Sequence, residues 1–294
     1  MNRILNKPIS VLDAGYVCPV DYMGSDESIV KAARISYGKE TKRVHEDRGL
    51  IRYLMRHHHT TPFEMCELKL QVKVPMDCWR QWIRHRTANV NEYSTRYSVA
   101  IDNAQRTDAS DWRSQTSRNK QGSDGFLDLT NGALLSRDEL KLQEHARKVY
   151  SKRLKMGVAR EQARKDLPLS TYTEAVWKID LHNLFHFLWL RMAPLAQYEI
   201  RCYANVIGNE IVSKWCPIAW EAFLDYRLNS LTLSRIEADV IRAMQSEGKE
   251  SAIASASKHG LIPPAGEEMK RNRERDELED KLTFLGMPIP WQSH

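Results

Sequence analysis

The sequence contains few cysteines and no long apolar run. Only five cysteines occur among its 294 residues, and no two of them form a CxxC pair. This odd, scattered set argues against a disulfide framework and against a zinc ribbon, so we expect reduced, mostly buried thiols. No apolar run approaches the ~20 residues of a membrane span, and the N-terminal segment lacks the apolar stretch of a secretory signal. We therefore expect a cytoplasmic protein without membrane contact.

Apart from these absences, the composition is that of a globular protein. Hydrophobic residues make up 42% of the chain and charged residues 28%, which leaves enough apolar side chain for a substantial core. The formal net charge of +6 favours anionic partners. Net charge alone does not separate nucleic acids from small phosphorylated ligands, so the distinction depends on where the arginines lie.

The early part of the chain predicts an antiparallel sheet. Between residues 66 and 74 every second side chain is apolar, which is the period of a half-buried strand. Two shorter strands are predicted over residues 8–12 and 16–20, with a turn at residues 13–15.

The later part predicts mainly helices, and a capping-box sequence at residues 136–139 marks one of their starts. The other predicted elements are helices from Ser25, over residues 45–55 and after Pro75, a polar loop at residues 89–94, helices ending near residues 157 and 166, an extended stretch over residues 169–178, and helices over residues 181–191 and 196–214.

These elements predict an α+β fold with an early antiparallel sheet and a later helical part. We expect a single catalytic domain over residues 1–228 and a C-terminal helical extension over residues 229–294. Residues 103–133 are rich in Ser, Asn, Gln, Asp and Gly and are predicted to form a mobile surface insertion. The extension is polar, and its charges alternate in sign over residues 267–281, which is typical of a solvated helix rather than a nucleic-acid arm.

Three arginines, a histidine and a single carboxylate lie within residues 84–98. Arginine forks bind phosphate through paired N–H donors, and serine and backbone N–H groups complete an anion site. Like charges at this density repel one another, so the cluster is costly without an anionic ligand. A phosphate-ligand site is favoured, with a solvated basic surface and an RNA-binding patch as the alternatives.

The same segment resembles the signature of the flavin-dependent thymidylate synthases. Arg84-His85-Arg86, followed after seven residues by Ser94, is similar to the RHR-x7-S pattern of that family. Further similar segments follow the family's order across residues 8–226: Asp21-Tyr22-Met23-Gly24, Ala32-Ala33-Arg34-Ile35-Ser36, Thr61-Pro62-Phe63-Glu64, Asn91-Glu92, Arg96-Tyr97-Ser98, Ala163-Arg164, Leu167-Pro168-Leu169, Arg191, and Ala196-Gln197-Tyr198-Glu199-Ile200.

The resemblance implies a transferase that methylates dUMP reductively to dTMP for dTTP synthesis. Methylenetetrahydrofolate would supply the carbon, and NADPH would reduce a bound FAD that supplies the hydride. The resemblance also implies a homotetramer with active sites between subunits, and no nucleic-acid partner.

Site residues follow from the same resemblance, position by position. The FAD contacts it implies are Ser36, Thr61, Arg84, His85, Arg86, Glu92, Asp180, His182 and His186. The dUMP contacts it implies are Gln81, Arg84, Glu92, Ser94, Thr95, Arg96, Arg164 and Arg191.

Arg191 is the predicted catalytic residue. It ends a strongly apolar stretch, and a buried guanidinium needs a partner. Against the uracil edge it would stabilise negative charge at N3 and O4 and so activate the ring, whereas the alternative is a structural salt bridge. No base for Ser94 is visible in the sequence, so Ser94 is assigned to substrate binding. No cysteine lies in the signature, so attack by cysteine on the substrate is not indicated.

Two histidine patterns raise the question of a metal. His182 and His186 are four residues apart on one predicted helix, and residues 57–59 are all histidine. Asn183 stands where an HExxH zinc helix would have glutamate, and successive histidines point in different directions. No metal is expected, and the resemblance makes His182 and His186 flavin neighbours and His59 a pocket-lining residue.

Leu195 departs from the family pattern. Many members have a histidine near the flavin at this place, which motivates a second hypothesis: a member that binds FAD and dUMP but turns over poorly. Asp180 and His182 also stand where some members have Asn and Arg. A third hypothesis, from another class, is an RNA- or nucleotide-binding module with Tyr93 and Tyr97 as stacking surfaces.

Overall fold

The computed structural model describes residues 1–35, 44–101, 103–116, 122–264 and 266–292. The chain divides into two compact units, Met1–Leu228 and Asn229–His294. The predicted site residue Ser36 lies outside the described residues.

The first unit contains seven strands in the described ranges. They are β1 Ile9–Val11, β2 Gly15–Met23, β3 Glu67–Pro75, β4 Asn89–Glu92, β5 Arg113–Gln115, β6 Ser123–Phe126 and β7 Tyr172–Asp180. Its α-helices are α1 Asp26–Ile35, α2 Val44–Arg56, α3 Thr61–Glu64, α4 Met76–Trp82, α5 Leu129–Lys155, α6 Arg160–Ala163, α7 Leu181–Arg191, α8 Tyr198–Val206, α9 Ser213–Trp215 and α10 Pro217–Phe223.

Five strands form one antiparallel sheet in the order β1-β2-β3-β7-β4. The central strand β3 alternates as its sequence predicts, because Leu68, Leu70 and Val72 are fully buried on one face. Opposite β3, β7 places Trp177 across from Leu70 on the same buried face. The α+β prediction with an early antiparallel sheet is therefore confirmed.

An aromatic cluster fills the space between the sheet and the helices. The ring centroid of Trp82 lies 5.2 Å from that of Trp177 and 4.9 Å from that of Phe187. Such pairs stabilise the core beyond the area they bury. The cysteines belong to the same interior: four are buried, Cys202 is half-buried, and none forms a disulfide. The prediction of reduced, mostly buried thiols is confirmed.

The prediction of a polar loop at residues 89–94 was wrong for the first four of these residues. They form the edge strand β4, which pairs with β7 so that Asn91 lies opposite Val176. Asn and Glu have low strand propensity, but the free edge of β7 supplies the pairing partner.

Residues 103–133 were predicted to form a mobile surface insertion without strands or helices. The structure shows both in this segment. β5 and β6 form a two-stranded antiparallel sheet, and α5 begins at Leu129 rather than near Ser136. The N-cap of α5 is Asp128, which accepts from Asn131 N over 2.9 Å. The Ser136 hydroxyl contacts Thr107 O and Trp112 Nε1 instead. Residues 117–121 lie outside the described residues.

The predicted long helix over residues 196–214 is also interrupted. After α8 the chain continues as the π-helical segment Ile207–Val212 and then as α9. Gly208 lies here against Trp220, since a Cβ on this glycine would be 2.5 Å from the indole ring. A second π-helical segment, Leu224–Leu228, follows α10.

The second unit consists of α11 Arg235–Glu247, α12 Lys249–Lys258 and α13 Arg273–Phe284. It has a core of its own, to which Val240, Ala252 and Leu278 contribute. Residues 267–281 were predicted to form a solvated helix, but α13 buries one face, including Leu278 and the stem of Arg275. Among the described helices of both units, none combines the length and apolarity that crossing a bilayer requires.

Candidate active site

The strand β7 runs directly into α7, and this junction positions the site. Asp180 caps α7 by accepting from Asn183 N over 2.9 Å and from Asn183 Nδ2 over 2.7 Å. Leu184 and Phe187 on one face of α7 are buried in the core, whereas His186 on the other face is exposed. The helix therefore presents its polar side chains and its last residue, Arg191, along one side.

A cavity of about 280 Å³ opens beside this face of α7. Three arginines and two histidines line it, and no carboxylate does. Its lining residues are Arg84, His85, Arg86, Thr87, Ile179, Asn183, His186, Leu190 and Arg191. Such an excess of positive charge fits an anionic ligand.

Arg191 has only neutral partners in the described part of the chain. Its Nε donates to His85 Nε2 over 3.1 Å, and its Nη2 donates to the backbone carbonyl of Gln81 over 3.2 Å. Burial lowers the pKa of the Arg191 guanidinium. No carboxylate in the described ranges pairs with Arg191, so the described part of the chain offers no structural salt bridge there.

His85 is held in its neutral form. Burial, the charge of Arg191 and the proximity of His186 lower the pKa of His85 to about 4. The two imidazole centroids are 5.9 Å apart. At neutral pH His85 is thus an uncharged acceptor for Arg191 and leaves the positive charge of the cavity unbalanced.

A smaller cavity of about 50 Å³ lies on the other side of His186. His59 and Thr60, at the start of α3, face His182 and His186 across it. Thr61, the predicted flavin contact, is exposed at the first position of α3 and is not among the residues that line this cavity. Asp180 lines neither cavity, because its carboxylate caps α7.

Eleven of the predicted site residues fall into two groups. The cavity group comprises Gln81, Arg84, His85, Arg86, His186 and Arg191. The loop group comprises Glu92, Ser94, Thr95, Arg96 and Arg164. In the described ranges no hydrogen bond or ion pair joins one group to the other. Glu92 ends β4, about 10 Å of extended chain beyond Asn89.

The loop group has its own internal contacts. Glu92 Oε1 accepts from the Thr173 hydroxyl over 2.8 Å, and Arg164 Nη1 donates to the Thr95 hydroxyl. Ser94 Oγ accepts from Arg96 N over 3.3 Å. These contacts use hydroxyls and one carboxylate, so the guanidinium of Arg164 keeps most of its donors available for a ligand.

Comparison with known proteins decides the family. Residues 20–218 match the family model described as Thymidylate synthase complementing protein. The chain belongs to the flavin-dependent thymidylate synthase family. Its relative from Wolbachia pipientis wMel is 49% identical over 83% of this chain and 86% of that protein. A relative from Thermus thermophilus is 52% identical over 84% of this chain and 90% of that protein. Both are named flavin-dependent thymidylate synthases.

A solved structure is similar as well. The UMP/dUMP methylase from Streptomyces cacaoi, bound with 5-Br dUMP, aligns with a TM-score of 0.68 and 31% identity, covering 76% of this chain and all of that one. The family resemblance inferred from residues 84–98 is therefore confirmed.

In this member of the family, Leu195 lies on the turn between α7 and α8. Ala196 N donates to Ala193 O over 2.9 Å in this turn, and the Leu195 side chain is 60% exposed. The side chain therefore makes little contact within its own chain.

Sequence reasoning missed the residues that contact Gln81 and Glu92. Gln197 and Asp77 form hydrogen bonds that reach Gln81, and Thr173 holds Glu92. Gln197 lies in a segment that resembles the family, and this resemblance could have indicated a role in the site. No spacing in the sequence connects Gln197 with Asp77. Among the described residues, no three His, Cys, Asp or Glu side chains are grouped so as to hold a metal ion.

Proposed function

We propose that this protein methylates dUMP reductively to dTMP, with methylenetetrahydrofolate as carbon donor and FAD, reduced by NADPH, as hydride donor. The observation that carries the proposal is the cavity lined by three arginines, in which Arg191 has only neutral partners among the described residues. Relatives named flavin-dependent thymidylate synthases, and a similar methylase bound with 5-Br dUMP, support the same reaction.

The residues around α7 suit FAD. A dinucleotide brings two phosphates, and Arg84 and Arg86 offer guanidinium donors in a cavity that no carboxylate among the described residues lines. His182 and His186 offer neighbouring imidazole surfaces beside the smaller cavity. With Ser36, Thr61, Glu92 and Asp180 they complete the proposed flavin contacts. The bound flavin supplies hydride chemistry that amino-acid side chains lack, and the protein supplies orientation and electrostatics.

Arg191 is proposed to act on the uracil ring. Its guanidinium is partly desolvated and already oriented by His85 and Gln81 O. A positioned cation stabilises negative charge as it develops on the ring, and it does so without reorganising during the reaction. Activation of the ring toward the methylene carbon follows from this stabilisation.

The loop group is proposed to bind the phosphate and sugar of dUMP from a neighbouring subunit. Within one chain, Arg164 and Ser94 make no hydrogen bond to the cavity group in the described ranges. A homotetramer with active sites between subunits would bring the two groups to one ligand. We also propose a cytoplasmic location, where dTMP is needed for dTTP synthesis.

The visible absorption spectrum of the purified protein tests the proposal. We expect a flavin spectrum that bleaches on anaerobic addition of NADPH and that changes when dUMP is added to the oxidised protein. A colourless protein that cannot be loaded with FAD would contradict the proposal.

One observation favours the polynucleotide-binding alternative: Tyr97 is 77% exposed next to Arg96. That hypothesis predicts RNA binding that falls steeply with salt, without turnover. Turnover of dUMP, together with weak binding to single-stranded RNA at physiological salt, would exclude it.

A further inference from the structure

Two amides and a carboxylate form a chain of hydrogen bonds at the start of α4 and α8. Gln81 Nε2 donates to Gln197 Oε1, and Gln197 Nε2 donates to Asp77 Oδ2 over 3.0 Å. The backbone of Gln81 is also fixed, because its carbonyl accepts from Arg191. The side chain and the main chain of Gln81 are thus held from opposite sides.

The chemistry of these groups gives the chain a direction. A carboxylate only accepts hydrogen bonds, so Gln197 must turn its NH2 group toward Asp77. The side-chain oxygen of Gln197 then faces Gln81, which donates a hydrogen bond to it from its own NH2 group. The side-chain oxygen of Gln81 is left over, and no described residue donates a hydrogen bond to it.

A second carboxylate, Glu199, lies two residues beyond Gln197. Burial would raise the pKa of Glu199, but its hydrogen bonds, first among them the one from Arg113, outweigh burial and hold that pKa below its ordinary value. Arg113 pairs with Glu199 over 2.5 Å and lies over the Tyr198 ring at 4.8 Å. Arg113 belongs to β5, so the surface insertion contacts the first turn of α8, next to Gln197.

We propose that Asp77 and Gln197 are positioning residues that orient the Gln81 amide so that it offers the pyrimidine a hydrogen-bond acceptor. The inference rests on the proposed function, in which Gln81 contacts dUMP. Uracil carries a hydrogen on N3, whereas N3 of cytosine carries a lone pair. An oriented acceptor therefore favours dUMP over dCMP, because a site built for a substrate N–H rejects the analogue that lacks it.

A double-mutant cycle on the full-length holoenzyme tests the proposal. The variants are Gln81→Ala, Gln197→Met and their combination, measured by kcat/KM for dUMP and by binding of dUMP and dCMP. We expect Gln197→Met alone to lower kcat/KM for dUMP about tenfold, mainly through KM, since one oriented hydrogen bond is lost. We expect it to reduce the preference for dUMP over dCMP as well. In the Gln81→Ala background, Gln197→Met should lower kcat/KM for dUMP by less than about twofold, because Gln197 acts through Gln81.

Gln143→Met is the matched control. Gln143 is a buried amide, whereas Gln197 is half-buried, and it contacts Gln105 O and the Ser170 hydroxyl, not Gln81. It should leave the preference for dUMP unchanged. Asp77→Leu keeps the branched shape of the side chain and removes the acceptor of the Gln197 amide altogether. It replaces Gln197→Met in the cycle with Gln81→Ala if Gln197→Met unfolds or loses FAD.

Each outcome has one meaning. Equal losses from Gln197→Met with and without Gln81 would overturn the positioning role, and so would a single variant with wild-type specificity. A wild-type protein that binds FAD but neither binds nor converts dUMP would overturn the proposed function itself, and the positioning role with it. That failure is recognisable because it involves no variant.

Discussion

The cavity group and the loop group differ in how the fold holds them. Arg191, at the end of α7, and His85 beside it are both half-buried, and they contact each other without a ligand. Glu92 and Arg96 are exposed on an edge strand and the turn that follows it. A preorganised cation suits stabilisation of a transition state, whereas an exposed guanidinium such as that of Arg96 suits capture of a phosphate. We therefore expect Arg191 of the cavity group to act in the chemical step and Arg96 of the loop group to act in binding.

Arg191→Ala should produce the largest effect. It tests most directly whether the cavity group has the chemical role that separates it from the loop group. We expect kcat to fall by about 10³-fold, since a preorganised donor to developing charge is removed. The protein should remain folded and flavin-bound, because no described carboxylate is left unpaired. The measurement is dTMP formation by chromatography, with FAD content and Tm alongside.

Arg242→Ala is the control for this variant. Arg242 is exposed on α11, pairs with Asp239, and lines neither cavity. It should leave kcat within twofold of wild type, in keeping with the small energy of exposed ion pairs. Near-normal turnover of Arg191→Ala would remove the chemical role assigned to the cavity group.

Complementation between inactive variants tests whether the cavity group and the loop group of one active site come from different subunits. If the two groups meet across subunits, tetramers reassembled from Arg191→Ala and Arg164→Ala chains contain some sites with both groups intact. Random mixing should restore about a quarter of wild-type activity, because each site draws its two groups from independent chains. Mixtures as inactive as either variant alone would place both groups in one subunit.

The neutral state of His85 predicts a pH-dependent stability of intermediate size. Its pKa is lowered from 6.5 to about 4 on folding, so in this window the unfolded chain binds more protons. The free energy of unfolding therefore falls as the pH is lowered. With about 1.4 kcal/mol per pKa unit, wild type should lose about 2 kcal/mol more than His85→Gln between pH 7 and pH 5.

Urea denaturation of both proteins at pH 7, 6 and 5 measures this difference. His85→Gln keeps a side-chain oxygen that can accept a hydrogen bond from Arg191. The variant therefore removes the titrating imidazole without removing the contact with Arg191. Parallel pH dependences of the two proteins would mean that His85 titrates normally in the folded chain.

Leu195→His should have the smallest effect. Leu195 is exposed on a turn and belongs to neither group, so its replacement breaks little within the chain. We expect turnover to change by less than about threefold, as for most exposed substitutions. A large rise would instead support the hypothesis of a poorly active family member whose rate this leucine limits.

Local sequence signals predicted the elements with a clear period and missed those that depend on distant partners. The alternation in β3 and the apolar run of α7 are local, and both elements lie where they were predicted. β4 was missed because its polar residues gain strand geometry from β7, which lies some 80 residues later in the chain. The contact between Gln197 and Asp77 joins residues 120 positions apart, so no local pattern could reveal it.

The contact between Arg191 and His85 also decides where a single hydrogen atom lies. Arginine can only donate, so Nε2 of the neutral His85 ring must be the bare nitrogen that accepts. The ring proton is therefore confined to Nδ1, and the imidazole exists as one tautomer. In this state Nε2 cannot deliver a proton to a ligand while Arg191 remains in place. The guanidinium thus converts a neighbouring acid–base group into a fixed dipole, which nitrogen chemical shifts of labelled histidine would register directly.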